Sequence, residues 1–238
     1  MQEKGRYMQR LFSGAPEEYD ALLSRLTLRN DSAWRQAVLD ASQLNAHGFV
    51  LDVATGTGLM AFDFANRLDE GSLVIGVDLC EPMLRKGIAN MRATGMDRVN
   101  FVAGRGEALP FMDGVFDCAT ITLALRNVTD PSGVFKEMAR VVRDGGTVIS
   151  LDFCRPQSPI FRSLYSFHIF HVLPFIGSLV SKQWKEILDY LAGSINRSLA
   201  PTKIAELMAE AGLSQVIVLK FTMGIVSLVK GAKSKLLA

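Results

Sequence analysis

Two hydrophobic periods alternate along most of this chain. Short apolar, β-rich runs occur at Phe49–Val53, Leu73–Val77, Val99–Ala103, Phe116–Leu123 and Thr147–Phe153. Between them, apolar residues recur at helical spacing over Leu59–Arg67, Pro82–Ala93 and Pro131–Val142. That alternation predicts an α/β fold, a mostly parallel sheet with helices on both faces. Asp113-Gly114 reads as the turn before the fourth strand, and Asp144-Gly145-Gly146 as the stop of the helix that Pro131 begins. Upstream, Glu17–Arg29 and Ser32–Leu44 carry helical spacing with Asn30-Asp31-Ser32 as break and N-cap, and His47-Gly48 follows as a stop. These N-terminal helices, within residues 1–47, are expected to form a lid over the ligand-binding edge of the first strand. Downstream lie a long helical insertion (155–198), a helix over Thr202–Ala211, and two strands, Gln215–Phe221 and Ile225–Val229, joined by a turn at Gly224. The last pair reads as a hairpin, so one strand should run antiparallel to the rest.

Composition narrows this further. A chain of 238 residues with 49% hydrophobic content can bury one substantial core, which predicts a single domain over 1–238 with an elaborated cap. The net charge of +2 and the lack of a Lys/Arg run argue against nucleic acid as a partner. Cys80, Cys118 and Cys154 have no metal or redox spacing and read as reduced, packed thiols of a cytoplasmic protein. Met1–Pro16 lacks the apolar core of a signal peptide, and no uninterrupted apolar stretch is long enough to span a bilayer. A homodimer is compatible with these features.

Chemistry concentrates first at Asp52-Val-Ala54-Thr-Gly56-Thr57-Gly58. A strand feeds a helix there through a turn whose glycines let a ligand approach the backbone. Gly56-x-Gly58-x-x-Ala61, with an acid about twenty residues on at Asp78, satisfies the loose dinucleotide fingerprint. Two ligand classes use this geometry: dinucleotides, and S-adenosylmethionine (SAM), whose ribose diol suits a carboxylate that accepts two hydrogen bonds. Asp52 before the turn, the loop Gly104–Phe111 after strand three, and the terminal hairpin favour SAM. A nicotinamide-dependent oxidoreductase stays open on the turn alone.

Arg126 and Asn127 follow strand four at its C-terminal end, where open α/β sheets place their sites. Either they act on the substrate or they cap the loop. Asp152, at the end of strand five, reads as a base, an orienting group or a solvated acid. His168 and His171 share a helical face with Phe167 and Phe170, which points to packing more than to catalysis. The aromatic stripe from Ile160 to Val180, with Pro174 and Gly177 inside it, is either a kinked core helix or a greasy cap that touches a membrane surface near Arg162, Lys182 and Lys185.

Three further segments carry a resemblance. Leu125-Arg-Asn-Val-Thr-Asp130, His171-Val-Leu-Pro-Phe-Ile-Gly-Ser-Leu-Val180 and Tyr190-Leu-Ala-Gly-Ser-Ile195 are similar to the ubiquinone/menaquinone biosynthesis C-methyltransferases, over about Tyr19 to Gly231. Asp52–Gly58, Glu107–Phe111 and Phe116-Asp117 are shared more widely by class I SAM-dependent methyltransferases. The resemblance implies a Rossmann-like seven-stranded sheet, SAM as cofactor and a prenylated quinol as acceptor; no metal is expected, since His168 and His171 have no evident third ligand and methyl transfer needs none. The resemblance also places cofactor contacts at Thr57, Asp78, Arg105, Gly106 and Thr122; the glycine turn and the second strand end add Asp52, Ala54, Gly56, Gly58, Leu79 and Met83 as cofactor candidates, and the ends of strands four and five offer Arg126, Asn127 and Asp152 for acceptor chemistry. Another hydrophobic acceptor, such as a sterol, a tocopherol-like phenol or a phospholipid, is the alternative within the class. This chain departs from the family pattern at Leu59, where an acid is usual, at Arg105, where Asp or Asn is usual, and at Gly193, where Glu is usual.

Overall fold

In the computed structural model, which describes residues 24, 27, 30–44 and 46–234, seven strands form one sheet in the order β3-β2-β1-β4-β5-β7-β6. These are β1 (Phe49–Val53), β2 (Leu73–Asp78), β3 (Val99–Ala103), β4 (Phe116–Thr122), β5 (Val142–Phe153), β6 (Leu213–Phe221) and β7 (Val226–Lys233). The first five pair in parallel, and β7 runs antiparallel between β5 and β6. The expected hairpin and single reversed strand are therefore present. The helix expected over Glu17–Arg29 lies outside the described residues, apart from Ser24 and Thr27.

Strand alternation divides the core between the two faces. Val50 and Leu228 point to one side, with Phe64, Ile149 and Leu151. Helices α1 (Asn30–Ser42) and α2 (Leu59–Arg67) contribute Trp34 and Met60 to that side. Leu51 and Val229 point to the other, against α4 (Pro131–Val141) and α8 (Pro201–Glu210). Each fully buried side chain of this kind, such as Phe64, Phe135 or Met208, stabilises the fold by about 1.5–3 kcal/mol relative to exposure. Between β2 and β3, α3 (Glu81–Thr94) ends on Gly95 in the left-handed region, as expected for a C-cap.

Three expectations are corrected. The run Asp144-Gly145-Gly146 does not stop a helix; α4 ends at Val141 and β5 begins at Val142, so the glycines lie inside the strand. A Cβ on Gly146 would fall 2.7 Å from the Asp117 carbonyl oxygen, so glycine there lets β5 press against β4 across a register shift. The first described helix stops at Ser42, with Gln43 at φ 61°, ahead of His47-Gly48.

The third correction concerns the cap. Pro174 and Gly177 do not interrupt the apolar stripe. The segments α5 (Pro159–Phe167), a π-helical stretch (His168–Val172) and α6 (Leu173–Val180) form one continuous helix. Pro174 lacks an N–H and crowds the carbonyl four residues back, and the wide π turn before it accommodates both. The result, Pro159–Val180, is long and apolar enough to cross a membrane by length and composition, contrary to the sequence reading. One face of it packs on the rest of the molecule. Ile169, Leu173, Pro174 and Gly177 face α7 (Lys182–Asn196) and the core. Gly177 allows that close approach, since a Cβ there would lie 3.1 Å from the Lys185 backbone.

Candidate active site

Every residue that the sequence offered for cofactor contact or acceptor chemistry lies at or just beyond the C-terminal ends of β1 to β5. After β1 the chain makes a tight turn with positive φ at Ala54, Gly56 and Gly58. Two anchors hold it. The Thr55 backbone N–H donates to the Val77 carbonyl at 3.1 Å. The Thr55 hydroxyl donates to the Asp52 carboxylate at 2.7 Å, and the Thr120 hydroxyl donates to its other oxygen at 2.9 Å. The carboxyl of Asp52 is wholly buried, which raises it to about 7 despite those two donors. Thr55 in turn sits on Gly76, where a Cβ would come within 2.7 Å of its methyl group.

Asp78 closes β2 and joins the turn. One of its oxygens accepts the Gly56 N–H at 2.8 Å and the other accepts the Cys80 N–H at 2.7 Å. The Leu79 N–H also donates to this carboxylate, which as an acceptor-only group keeps lone-pair capacity for a hydroxyl donor. Burial raises its pKa, and the backbone N–H groups oppose that rise. Leu79 beside it is exposed, and the Met83 terminal methyl lies 3.4 Å from where a Cβ on Gly56 would stand.

Beyond β3, Gly106 packs so closely that a Cβ there would lie 2.9 Å from Val53. Arg105 is half exposed and pairs with Glu107 at 3.7 Å, a surface contact. At the end of β4, the buried hydroxyl of Thr122 has no hydrogen-bond partner among the described residues. A buried hydroxyl with no partner among the described residues, a turn in the left-handed region and an acceptor carboxylate on adjacent strand ends fit a nucleoside ligand such as SAM.

Arg126, Asn127 and Asp152 come together on the neighbouring strands. Residues Leu125–Asn127 form a 3-10 turn after β4. The Arg126 guanidinium donates through Nη1 to Asp152 at 2.6 Å and to the Leu123 carbonyl, and through Nε to Ser194 at 3.2 Å. It lies over the Phe153 ring at 5.1 Å. Asp152 also accepts the N–H groups of Arg126 and Phe153. Both side chains of the ion pair are nearly sealed, at 4% and 3% exposure. Asn127 accepts a hydrogen bond from the Tyr190 hydroxyl at 2.8 Å. Donors left unused inside the described protein are Nη2 of Arg126 and Nδ2 of Asn127.

The cap supplies three hydroxyl residues that sequence reasoning gave no role: Tyr190 and Ser194 on α7, and Tyr165 on α5, whose phenol burial holds in its neutral form. Tyr190 and Ser194 lay inside a motif already singled out, and their spacing of four residues was the available signal. His168 and His171 are exposed, and the His171 ring meets Phe167 in a tilted contact at 5.3 Å. The three cysteines are buried and in no disulfide, and burial raises the Cys118 and Cys154 thiols, so their thiolate forms are disfavoured. A groove of about 460 Å³ between α1 and α2 is lined by ion-paired residues, among them Arg35, Asp63 and Arg67, and includes none of the strand-end residues.

Comparison with known proteins places this arrangement. The ubiE/COQ5 methyltransferase family model matches residues 1–233. The chain is 34% identical over 233 residues to the ubiquinone/menaquinone biosynthesis C-methyltransferase UbiE of Hahella chejuensis, covering 98% of this chain and 93% of that protein. It is 35% identical over 232 residues to the protein of the same description from Serratia proteamaculans, covering 97% and 92%. Among solved structures, a SAM-dependent methyltransferase from Thermotoga maritima, described as a possible histamine N-methyltransferase, superposes with a TM-score of 0.65 at 20% identity, over 95% of this chain and all of that one. A putative SAM-dependent methyltransferase from Methanococcus maripaludis gives 0.66 at 14% identity, over 94% of each chain. These two establish the fold, which is that of class I methyltransferases. The nicotinamide alternative, open on the glycine turn alone, gives way. With its strand order, its glycine turn and its near full-length relatives in agreement, this chain belongs to the ubiE/COQ5 methyltransferase family.

Proposed function

We propose that this protein transfers a methyl group from SAM to a ring carbon of a prenylated quinol, either demethylmenaquinol or the benzoquinol of the ubiquinone pathway. The observation that carries the reading is the pair of unused donors, Arg126 Nη2 and Asn127 Nδ2, at the strand-four end next to the nucleoside turn and beneath an apolar cap.

SAM supplies an electrophilic methyl on a sulfonium. The turn Ala54–Gly58 and Thr57 hold its amino-acid portion, Asp78 takes the ribose hydroxyls, Leu79, Met83 and Gly106 line the adenine, and Thr122 offers its hydroxyl. Asp52 acts from behind the turn, through Thr55. A phenol titrates near pH 10, and its anion makes the ortho carbon nucleophilic. Arg126 and Asn127 lower that barrier by donating to the ring oxygen as charge develops on it. Asp152, with its oxygens already engaged, orients Arg126 and is not the base. Further acceleration comes from holding the ring in line and excluding water under the cap.

The outward face of Pro159–Val180 carries Ile160, Leu164, Phe167, Phe175, Leu179 and Val180, all exposed. In this reading it rests on the membrane surface and admits the isoprenoid tail of the acceptor, while the protein itself is cytoplasmic. The deciding experiment is incubation with labelled SAM and reduced demethylmenaquinone or its benzoquinol counterpart, followed by mass spectrometry. A carbon-methylated product from either is expected. No such product, with SAM still bound by calorimetry, would sink the quinol assignment and leave the donor site intact.

A further inference from the structure

Helix α7 reaches the turn after β4 through two side chains spaced one helical turn apart, and they meet two consecutive residues of that turn. Tyr190 donates from its hydroxyl to Asn127 Oδ1 at 2.8 Å. Ser194, at 0% exposure, accepts from Arg126 Nε at 3.2 Å while donating to the Leu191 carbonyl at 2.8 Å. Side chains four apart on a helix share a face, so the pairing of 190 with 127 and 194 with 126 is one rigid contact.

The donor and acceptor inventory gives this contact a direction. A carboxamide has one acceptor end and one donor end, and nothing in its shape prefers either orientation. With its oxygen claimed by the Tyr190 hydroxyl, Asn127 must turn its amino group the other way, where it meets no hydrogen-bond partner among the described residues. Arg126 is constrained similarly. Asp152 and the Leu123 carbonyl hold Nη1 and Ser194 holds Nε, which leaves Nη2 as the free corner of a fixed plane. A buried guanidinium fully occupied by protein would offer a substrate nothing. This one is occupied on every corner but one.

We propose that Tyr190 and Ser194 are positioning residues. From the cap they dictate the orientation of the Asn127 amide and the Arg126 guanidinium, and so present Nδ2 and Nη2 together to the ring oxygen of the acceptor. The donors are aligned only while α7 is seated on the turn, which ties catalysis to a docked cap. The proposal rests on the reading that Arg126 and Asn127 face the acceptor, and the experiment separates the two.

Tyr190→Phe deletes one oxygen and keeps the ring. Together with Asn127→Ala, the double variant, and Asn127→Asp, it is assayed with SAM and the reduced demethylquinone, recording kcat, both KM values, SAM affinity by calorimetry and Tm. Expected for Tyr190→Phe is a fall in kcat of about tenfold, the scale of one lost transition-state hydrogen bond, with SAM affinity held within about twofold. The double variant should be no slower than Asn127→Ala alone, because the two residues act as one unit. Asn127→Asp still accepts from Tyr190 but has lost its amino donors, and should be as slow as Asn127→Ala. A Tyr190→Phe enzyme with wild-type kcat and a lowered Tm, or one whose loss adds in full to that of Asn127→Ala, overturns the positioning role. Asn127→Asp turning over like wild type refutes the underlying assignment of Asn127 to the acceptor. Absence of product from the wild-type chain refutes the acceptor class, and the proposal falls with it.

Discussion

Asp52 sits between two threonine hydroxyls at 1% exposure, and burial lifts its carboxyl from an ordinary 3.8 to about 7. Its carboxylate looks inward, so its first effect is on the turn: through Thr55 it fixes the loop that carries Gly56 and Gly58. The sign of its linkage follows from the raised value. Between about pH 4 and pH 7 the unfolded chain has released the proton and the folded chain retains it. Stability therefore falls as pH rises through that window, by up to about 1.4 kcal/mol per pH unit, and levels off above it. In Asp52→Asn that component disappears. Urea unfolding across this range should show wild type losing stability with rising pH relative to the variant. Parallel profiles would mean that Asp52 titrates as an ordinary carboxyl.

Elements are joined at this site by one buried ion pair. Arg126 belongs to the turn after β4, Asp152 to the end of β5 and Ser194 to α7, so a single guanidinium links sheet and cap. With both partners sealed from water, removing one leaves the other charged and unpaired in a low-dielectric setting, a loss of about 3–5 kcal/mol. Asp152→Ala should accordingly lower Tm by roughly 6–20 °C in calorimetry. A shift of only a degree or two would show that water replaces the lost carboxylate. Exposed pairs such as Arg85–Glu81, at 79% and 66% exposure, contribute little by comparison.

For the molecule as a whole, the unusual feature is where its apolar surface lies. Helix Pro159–Val180 is mostly exposed, and its packed residues Ile169, Leu173 and Gly177 are the ones that meet α7 and the core. Sustained exposure of Phe167, Phe175 and Leu179 on one helix marks an interaction surface. The charge-introducing double variant Phe167→Glu/Leu179→Glu should weaken sedimentation with anionic phospholipid vesicles at least tenfold, the result of losing apolar burial in the interface. SAM affinity should be unchanged. Undiminished vesicle binding would remove the membrane-docking role from this helix.

Local chemistry was legible in the residue order. The alternation of strand and helix periods determined the parallel sheet. The acid, the glycines and Asp78 determined a nucleoside turn, because a backbone that must adopt positive φ and accept a ligand leaves its mark within a few residues. Placing Arg126, Asn127 and Asp152 on one sheet edge also followed from the pattern, since each ends or follows a strand. What stayed hidden depends on contacts distant in sequence. That Asp52 faces Thr120, that Arg126 is spent on Asp152 and Ser194, and that Tyr190 claims the Asn127 oxygen are pairings across 63 to 68 residues or between neighbouring strands. Hydrogen-bond direction has no periodicity to read. Neither has the continuity of the cap helix through Pro174, nor the passage of Gly145-Gly146 into β5. In both places packing against a neighbouring element overrode a local signal that on its own means stop.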